Sequence, residues 1–239
     1  MCGRFVRTAT AKEIADLFQL TEVPAVEPRY NVAPSQEVLA VRQTPEHRDR
    51  QLVALRWGLI PHWADDPKIG YRMINARAET AAEKPAFRSA FRARRCLVAA
   101  NGFYEWAKRD GGKQPFYIGL KDGAPFAFAG LWEHWESPEG KTLETCTILT
   151  TDANEVVRPV HDRMPVIIGP KDFDRWLDPD QKDPAKVQGL LRPYPAEAML
   201  AYPVSRLVND PKHEDPRCLE PQAAAEPVPE KPAKRKPRK

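Results

Sequence analysis

Apolar positions recur along this chain in two rhythms. Ile14, Leu17 and Phe18 stand at helical spacing. Thr10 and Glu13 form a capping-box pattern ahead of them, so a short amphipathic helix is predicted over 11–19. Residues 51–57 (QLVALRW) read as a strand, and Phe87 and Phe91, four apart, suggest a second helix between Pro85 and Arg95. From Cys96 to Thr150 the rhythm shortens. Apolar runs over 96–100, 102–107, 115–120, 125–132 and 143–150 are separated by Asp110-Gly111 and Asp122-Gly123, which are hairpin turn signals. Short helices are predicted near 152–158, 171–177 and 184–191, and strands near 164–168 and 198–203. Hairpins outnumber βαβ units, so the predicted class is α+β. We expect a single domain around an antiparallel, barrel-like β-sheet with short flanking helices.

No Gly/Ser linker or internal repeat divides residues 2–208, which read as one domain. From about Pro211 the chain is rich in Pro, Ala, Glu and Lys and poor in large apolar residues. Residues 209–239 therefore read as a disordered tail. Its Lys/Arg end is either a solvated terminus or a non-specific nucleic-acid tether.

No apolar run approaches the roughly 18 residues of a membrane span. Met1-Cys2-Gly3-Arg4-Phe5 has no apolar signal core. Cysteines at 2, 96, 146 and 218 form no C-x-x-C pair, and the five histidines are scattered. We expect no metal site, no cofactor, no disulfide and a reducing, cytoplasmic compartment.

The net charge of +4 hides a gradient. Residues 1–110 are net +5, 111–230 net −7, and the last nine residues net +6. The first segment holds 14 Arg against 4 Lys. Arginine offers a planar fork suited to phosphate, so any nucleic-acid role rests there rather than on overall charge.

Several groups could carry chemistry. If Met1 is excised, Cys2 presents an amine and a thiol on adjacent carbons. An α-amine titrates at about 7.7–8.0, so roughly a tenth is free base at pH 7, a few hundredfold more than for lysine. Such an amine forms an imine with an aldehyde, and the thiol can close a five-membered thiazolidine on it. On position alone the plainer reading of Cys2 is a small buried residue near a frayed terminus.

Asn75-Ala76-Arg77-Ala78-Glu79 is either a helix start capped by Asn75 or a pocket amide with Arg77 on a phosphate. Glu105 lies within Gly102-Phe103-Tyr104-Glu105-Trp106. Strand alternation puts Phe103, Glu105 and Ala107 on one side, and an aromatic setting should raise that carboxyl. A cross-strand arginine pair is the plainer alternative. His161 in His161-Asp162-Arg163-Met164-Pro165 is an acid/base candidate or a structural histidine. The Trp57–Trp63 segment, broken by Gly58 and Pro61, either packs in the core or stacks on bases.

Taken together these blocks resemble a known family. Met1-Cys2-Gly3-Arg4, Arg29-Tyr30-Asn31-Val32-Ala33-Pro34, Arg56-Trp57-Gly58-Leu59-Ile60-Pro61 and Asn75-Ala76-Arg77-Ala78-Glu79-Thr80 come first. Arg94-Arg95-Cys96-Leu97-Val98, Gly102–Trp106 and His161–Pro165 follow. In this order, over about residues 2–205, they look like the SOS-response-associated peptidase (SRAP) family. Ala99-Ala100-Asn101 departs from a Pro-Ala-Asp-like expectation.

The resemblance implies a sensor of abasic sites in single-stranded DNA, with the exposed sugar aldehyde captured by Cys2 as a thiazolidine crosslink. It implies Cys2, Asn75, Glu105 and His161 as catalytic residues. Arg4, Arg77 and Arg163 are expected on phosphates, Trp106 and Thr150 along the channel, and Trp63 and Pro34 against bases. Abasic-site lyase chemistry and self-processing peptidase action come with the same resemblance, as does a nucleoid-associated monomer without a membrane or metal partner. Two rivals stand beside it. One is an N-terminal-nucleophile amidohydrolase, in which the Cys2 thiol attacks an amide. The other is a non-covalent single-strand binder.

Overall fold

The computed structural model describes residues 2–109 and 112–222. In chain order the elements are β1 (Phe5–Arg7), α1 (Ala11–Phe18), β2 (Arg29–Val32), β3 (Glu37–Arg42), β4 (Gln51–Trp57), β5 (Asn75–Arg77), α2 (Arg88–Ala93), β6 (Arg95–Ala100) and β7 (Gly102–Arg109). Then follow β8 (Gly112–Leu120), β9 (Phe126–Glu136), β10 (Thr142–Asp152), β11 (Arg163–Pro165), β12 (Ile167–Ile168), α3 (Phe173–Leu177), α4 (Pro184–Gln188) and β13 (Met199–Pro203).

Five strands close into a barrel. β4, β3, β6 and β9 pair antiparallel in that order, and β10 joins both ends. It runs antiparallel to β9 from Thr142↔Glu136 to Ile148↔Gly130, and parallel to β4 at Thr145↔Arg56 and Cys146↔Trp57. Alternation sorts the side chains into two cores. Val38, Ala40, Leu55, Trp57, Val98, Phe128 and Ile148 belong to one cluster, inside the ring. Val41, Leu97, Ala99, Ala129, Leu131 and Leu149 face the other way, against Phe91 of α2 and Phe173 and Trp176 of α3. The predicted α+β, barrel-like architecture is the observed one.

A second antiparallel sheet, β13-β8-β7-β1-β2, lies against the barrel. Phe5 of β1 meets Trp57 and Phe128 edge-on, with ring centroids 5.3 and 5.7 Å apart, and Phe103 of β7 meets Phe128 at 6.2 Å. These aromatics join the sheet to the barrel interior, so the beginning of the chain is part of the core.

Two of the local signals behave as read. Thr10 and Glu13 cap α1 reciprocally, and Gly123 takes a positive φ of 71° at the second hairpin turn. Asp110-Gly111 lies outside the described residues. The helix expected over 152–158 is instead a set of turns. The Asn154 side chain accepts from the Val156 and Val157 backbones, and Pro159 ends the run. Asn75 caps no helix, because β5 pairs alongside β10.

The expected boundary after residue 208 falls within packed structure. Glu214 accepts from the Tyr30 and Asn31 backbones and pairs with Arg29 at 2.9 Å. Cys218 is buried, and Val204 bridges to Pro221. A few specific contacts hold a segment whose composition alone suggested disorder; residues 223–239 of that tail lie outside the described residues. The four cysteines are buried, free thiols, and no helix among the described residues is long and apolar enough to cross a membrane.

Candidate active site

Cys2 sits just ahead of β1, fully buried in the same core cluster as Phe5, Phe103, Ile118 and Val157. The Asn75 side-chain amide donates to the Cys2 carbonyl at 2.7 Å. The register of β5, with Asn75 opposite Ile148, sets that amide. Asn75 Oδ1 is buried and has no hydrogen-bond partner among the described residues. It is therefore an oriented acceptor awaiting a donor. Burial, reinforced by the Glu105 carboxylate, holds the Cys2 thiol well above its ordinary value.

Glu105 lies on β7 opposite Phe116 and is 3% exposed. Burial pushes its carboxyl up, while nearby His161 pulls the other way. Ala107, Phe116 and Val160 form a small apolar cluster. The turn that donates the His161 N–H to the Val157 carbonyl at 2.9 Å brings the imidazole in. His161 Nδ1 accepts the Arg163 backbone N–H at 2.9 Å, which places the neutral ring's proton on Nε2. The exposed Asp162 carboxylate lies 3.1 Å from the same Nδ1. Two acceptors cannot bond each other, so in the neutral ring the hydrogen bond at Nδ1 is the one from the Arg163 backbone.

Glu105, Trp106, Lys113, His161 and Asn209 line an open cleft of about 470 Å³. β1 pairs with β7 only at Gly102 and Phe103. Beyond them no strand among the described residues pairs with that edge of β7, and Glu105 and Trp106, on opposite faces, both line the cleft. The Trp106 indole donates to Asn209 Oδ1 at 2.7 Å.

The residues expected to meet DNA are distributed unevenly. Arg4 donates to Asn31 Oδ1 (2.9 Å) and to the Val208 (2.7 Å) and Asn209 (3.3 Å) carbonyls. Arg163 forks both Glu79 oxygens at 2.8 Å and also reaches Asp152 at 2.8 Å and the Thr150 carbonyl at 2.5 Å. That fork holds the Glu79 carboxyl below its usual range. Arg77 is exposed, and its guanidinium makes no hydrogen bond among the described residues. Thr150 is buried, with its hydroxyl 3.4 Å from the Ala76 carbonyl.

Trp57 packs in the core, donating to the Ile74 carbonyl, whereas Trp63 is 52% exposed. Pro34 is half-buried in the turn before β3; neither Trp63 nor Pro34 lines the cleft. The structure thus gathers Cys2, Asn75, Glu105 and His161 beside Trp106. It adds two residues the sequence reading passed over. Lys113 follows a turn signal, where its cross-strand register was the available clue, and Asn209 lay in the segment assigned to the tail. Among the described residues no three metal-ligating side chains cluster.

The family model described as SOS response associated peptidase (SRAP) matches residues 1–211. The chain is 49% identical over 224 residues to the abasic site processing protein YoqW of Bacillus subtilis, covering 92% of this chain and 99% of that one. It is 35% identical to the abasic site processing protein HMCES of Gallus gallus, over 81% of this chain and 66% of that longer protein. Among solved structures, a protein from Bacteroides thetaiotaomicron superposes with a TM-score of 0.80 at 28% identity, covering 93% of this chain and all of that one. A phage-related protein from Bordetella bronchiseptica matches with a TM-score of 0.69 at 30% identity, over 86% and 95% of the two chains.

Proposed function

We infer that this chain, which belongs to the SOS response associated peptidase (SRAP) family, processes abasic sites in single-stranded DNA by trapping them on Cys2. The names of its relatives support abasic-site processing. The observation that carries the finer reading is the seat of Cys2, with its carbonyl held by Asn75 and the Glu105 carboxyl nearby.

With Met1 removed, the Cys2 amine attacks C1′ of the ring-opened sugar, forming an N–C bond. The carbinolamine loses its hydroxyl as water, giving an imine. The thiol adds across the C=N bond: sulfur bonds C1′, and its proton ends on nitrogen. The product is a thiazolidine, and one water is released overall.

Glu105, biased toward its protonated form, donates a proton to the departing hydroxyl and takes one from the amine. His161 assists sugar opening and imine formation. Asn75 Oδ1 accepts from the amine or a sugar hydroxyl. Arg77 meets a backbone phosphate, and Arg163 does so by exchanging the exposed Asp152 carboxylate for phosphate. Arg4 braces the segment beneath Asn209. Trp106 and Thr150 line the path of the strand, and Trp63 and Pro34 act on neighbouring bases.

The imine also acidifies C2′, which opens β-elimination of the 3′ phosphate; thiol closure competes with that lyase step. Peptidase action, on this reading, is the removal of Met1 that exposes the Cys2 amine.

The test is a denaturing gel of purified protein with abasic single-stranded DNA, alongside intact mass of the free protein. A shifted band is expected, with the mass of protein plus DNA less one water. It should vanish with Cys2→Ala and with an N-terminal extension left in place. Equally stable crosslinking by Cys2→Ala, or by protein whose amine is blocked, would overturn the mechanism. Glutamine hydrolysis without a DNA adduct would favour the amidohydrolase. Binding indifferent to the lesion and to Cys2→Ala would favour the passive binder.

A further inference from the structure

We propose that Lys113 and Asn209 form a phosphate-binding subsite at the rim of the cleft, taking a backbone phosphodiester beside the abasic sugar. The proposal rests on the reading of this cleft as a DNA trap. A strand entering the cleft brings charge that cations must meet. Arg4 and Arg163 already donate to protein acceptors, and Arg77 does not line the cleft. The lysine among the lining residues is Lys113, which is exposed and whose side chain makes no hydrogen bond among the described residues.

Two further observations point to an anion there. Lys113 stands directly opposite Lys108 across the β7–β8 hairpin. Like charges so paired repel, and an anion held at Lys113 relieves the repulsion. Asn209 supplies the second. An indole N–H only donates, so the Asn209 atom 2.7 Å from Trp106 Nε1 is the amide oxygen. Its NH2 group is thereby turned away from the indole, with no acceptor among the described residues. A phosphodiester offers two unesterified oxygens, one for the Lys113 ammonium and one for the Asn209 amide. Trp106, which fixes Asn209, also presents its ring to the same cleft, where a base or sugar next to that phosphate would lie. The carboxylate in the cleft is Glu105, on the β7 face opposite to Trp106.

The test measures crosslinking of the full chain to abasic single-stranded DNA across DNA and salt concentrations, for wild type, Lys113→Gln, Lys113→Arg and Asn209→Asp. Lys113→Gln should raise the half-saturating DNA concentration about fivefold at low salt. It should flatten the log–log salt slope by about 0.7, the contribution of one single-strand phosphate, and leave the limiting rate within about twofold. Lys113→Arg should restore both quantities. Asn209→Asp keeps an oxygen for Trp106 but turns a carboxylate toward the phosphate, so it should weaken half-saturation at least as much.

Wild-type half-saturation and slope in both Lys113→Gln and Asn209→Asp would overturn the subsite. So would a slower limiting rate at unchanged half-saturation. If wild type forms no crosslink, the trap itself fails. Anisotropy with lesion-free DNA then reads the subsite alone, through the same difference in slope.

Discussion

Asn75→Ala tests whether the Cys2 seat does what its geometry suggests. The substitution removes the donor to the carbonyl of a fully buried residue, a bond of 2.7 Å. Stranding a buried acceptor costs about 1–3 kcal/mol. The space left by the amide can admit water, which favours the lower part of that range, about 1–2 kcal/mol. If this energy holds the start of the chain in the reactive pose, the reactive population falls roughly 5- to 30-fold. The assay is single-turnover crosslinking at saturating abasic DNA, quenched over time and resolved on a denaturing gel. The rate constant should fall by that factor while half-saturation stays within about twofold. The melting temperature should fall by roughly 2–8 °C. A rate within twofold of wild type, together with the expected loss of stability, would show that the bond only braces the fold. Asn75→Asp keeps the acceptor but loses the donor, so it should be at least as slow.

Other outcomes follow from the same structure. Glu105 has a folded-state pKa above its unfolded one, so its burial penalty is absent below the ordinary carboxylate pKa of about 4.3 and builds as pH rises through the folded value. Glu105→Gln should therefore raise stability at pH 7 by on the order of 1–2 kcal/mol while slowing both crosslink formation and reversal. Melting curves at acid pH should show the gain vanishing; a pH-independent gain would contradict the cause. Arg95 is buried and donates five hydrogen bonds, to the carbonyls of Phe91, Arg92, Trp176, Asp178 and Gln181, with burial pulling its guanidinium down to about 10. Arg95→Ala should cost about 3–5 kcal/mol, read as a fall of roughly 10 °C in Tm, with the crosslinking rate kept below the transition. Gly58 has φ of +130°, and a Cβ there would sit 2.7 Å from the Gly70 carbonyl oxygen. Gly58→Ala should destabilise by about 2–4 kcal/mol by calorimetry and displace the loop that carries Trp63.

Contacts close in sequence were the legible ones. Thr10 and Glu13 announce α1 because a cap is made within three residues. Phe87 and Phe91 mark α2 for a similar reason. The barrel's closure is not local: Cys146 runs parallel to Trp57, across 89 positions of chain. Nothing in either segment alone specifies that partner. Asn75 could be read as a cap or a pocket amide because its side chain suits both, and the pairing with Ile148 decides. Arginine at 163 suggested phosphate by residue type. The structure adds Glu79, 84 residues away, which residue type could not supply. Asn209 was passed over because composition drew a boundary at 208, while Glu214 and Cys218 carry the packing beyond it.

Cys2 is seated only when distant parts of the chain have arrived. Its neighbours Asn75, Phe103 and Glu105 leave the ribosome long after it does. At roughly 5–20 residues per second, the nascent head waits several seconds or more before β7 can enclose it. Under the proposed chemistry, trimming of the first methionine falls naturally in that interval, while the head still protrudes from a growing polypeptide. On that reading, the speed of translation up to β7 sets how long the head stays open to trimming.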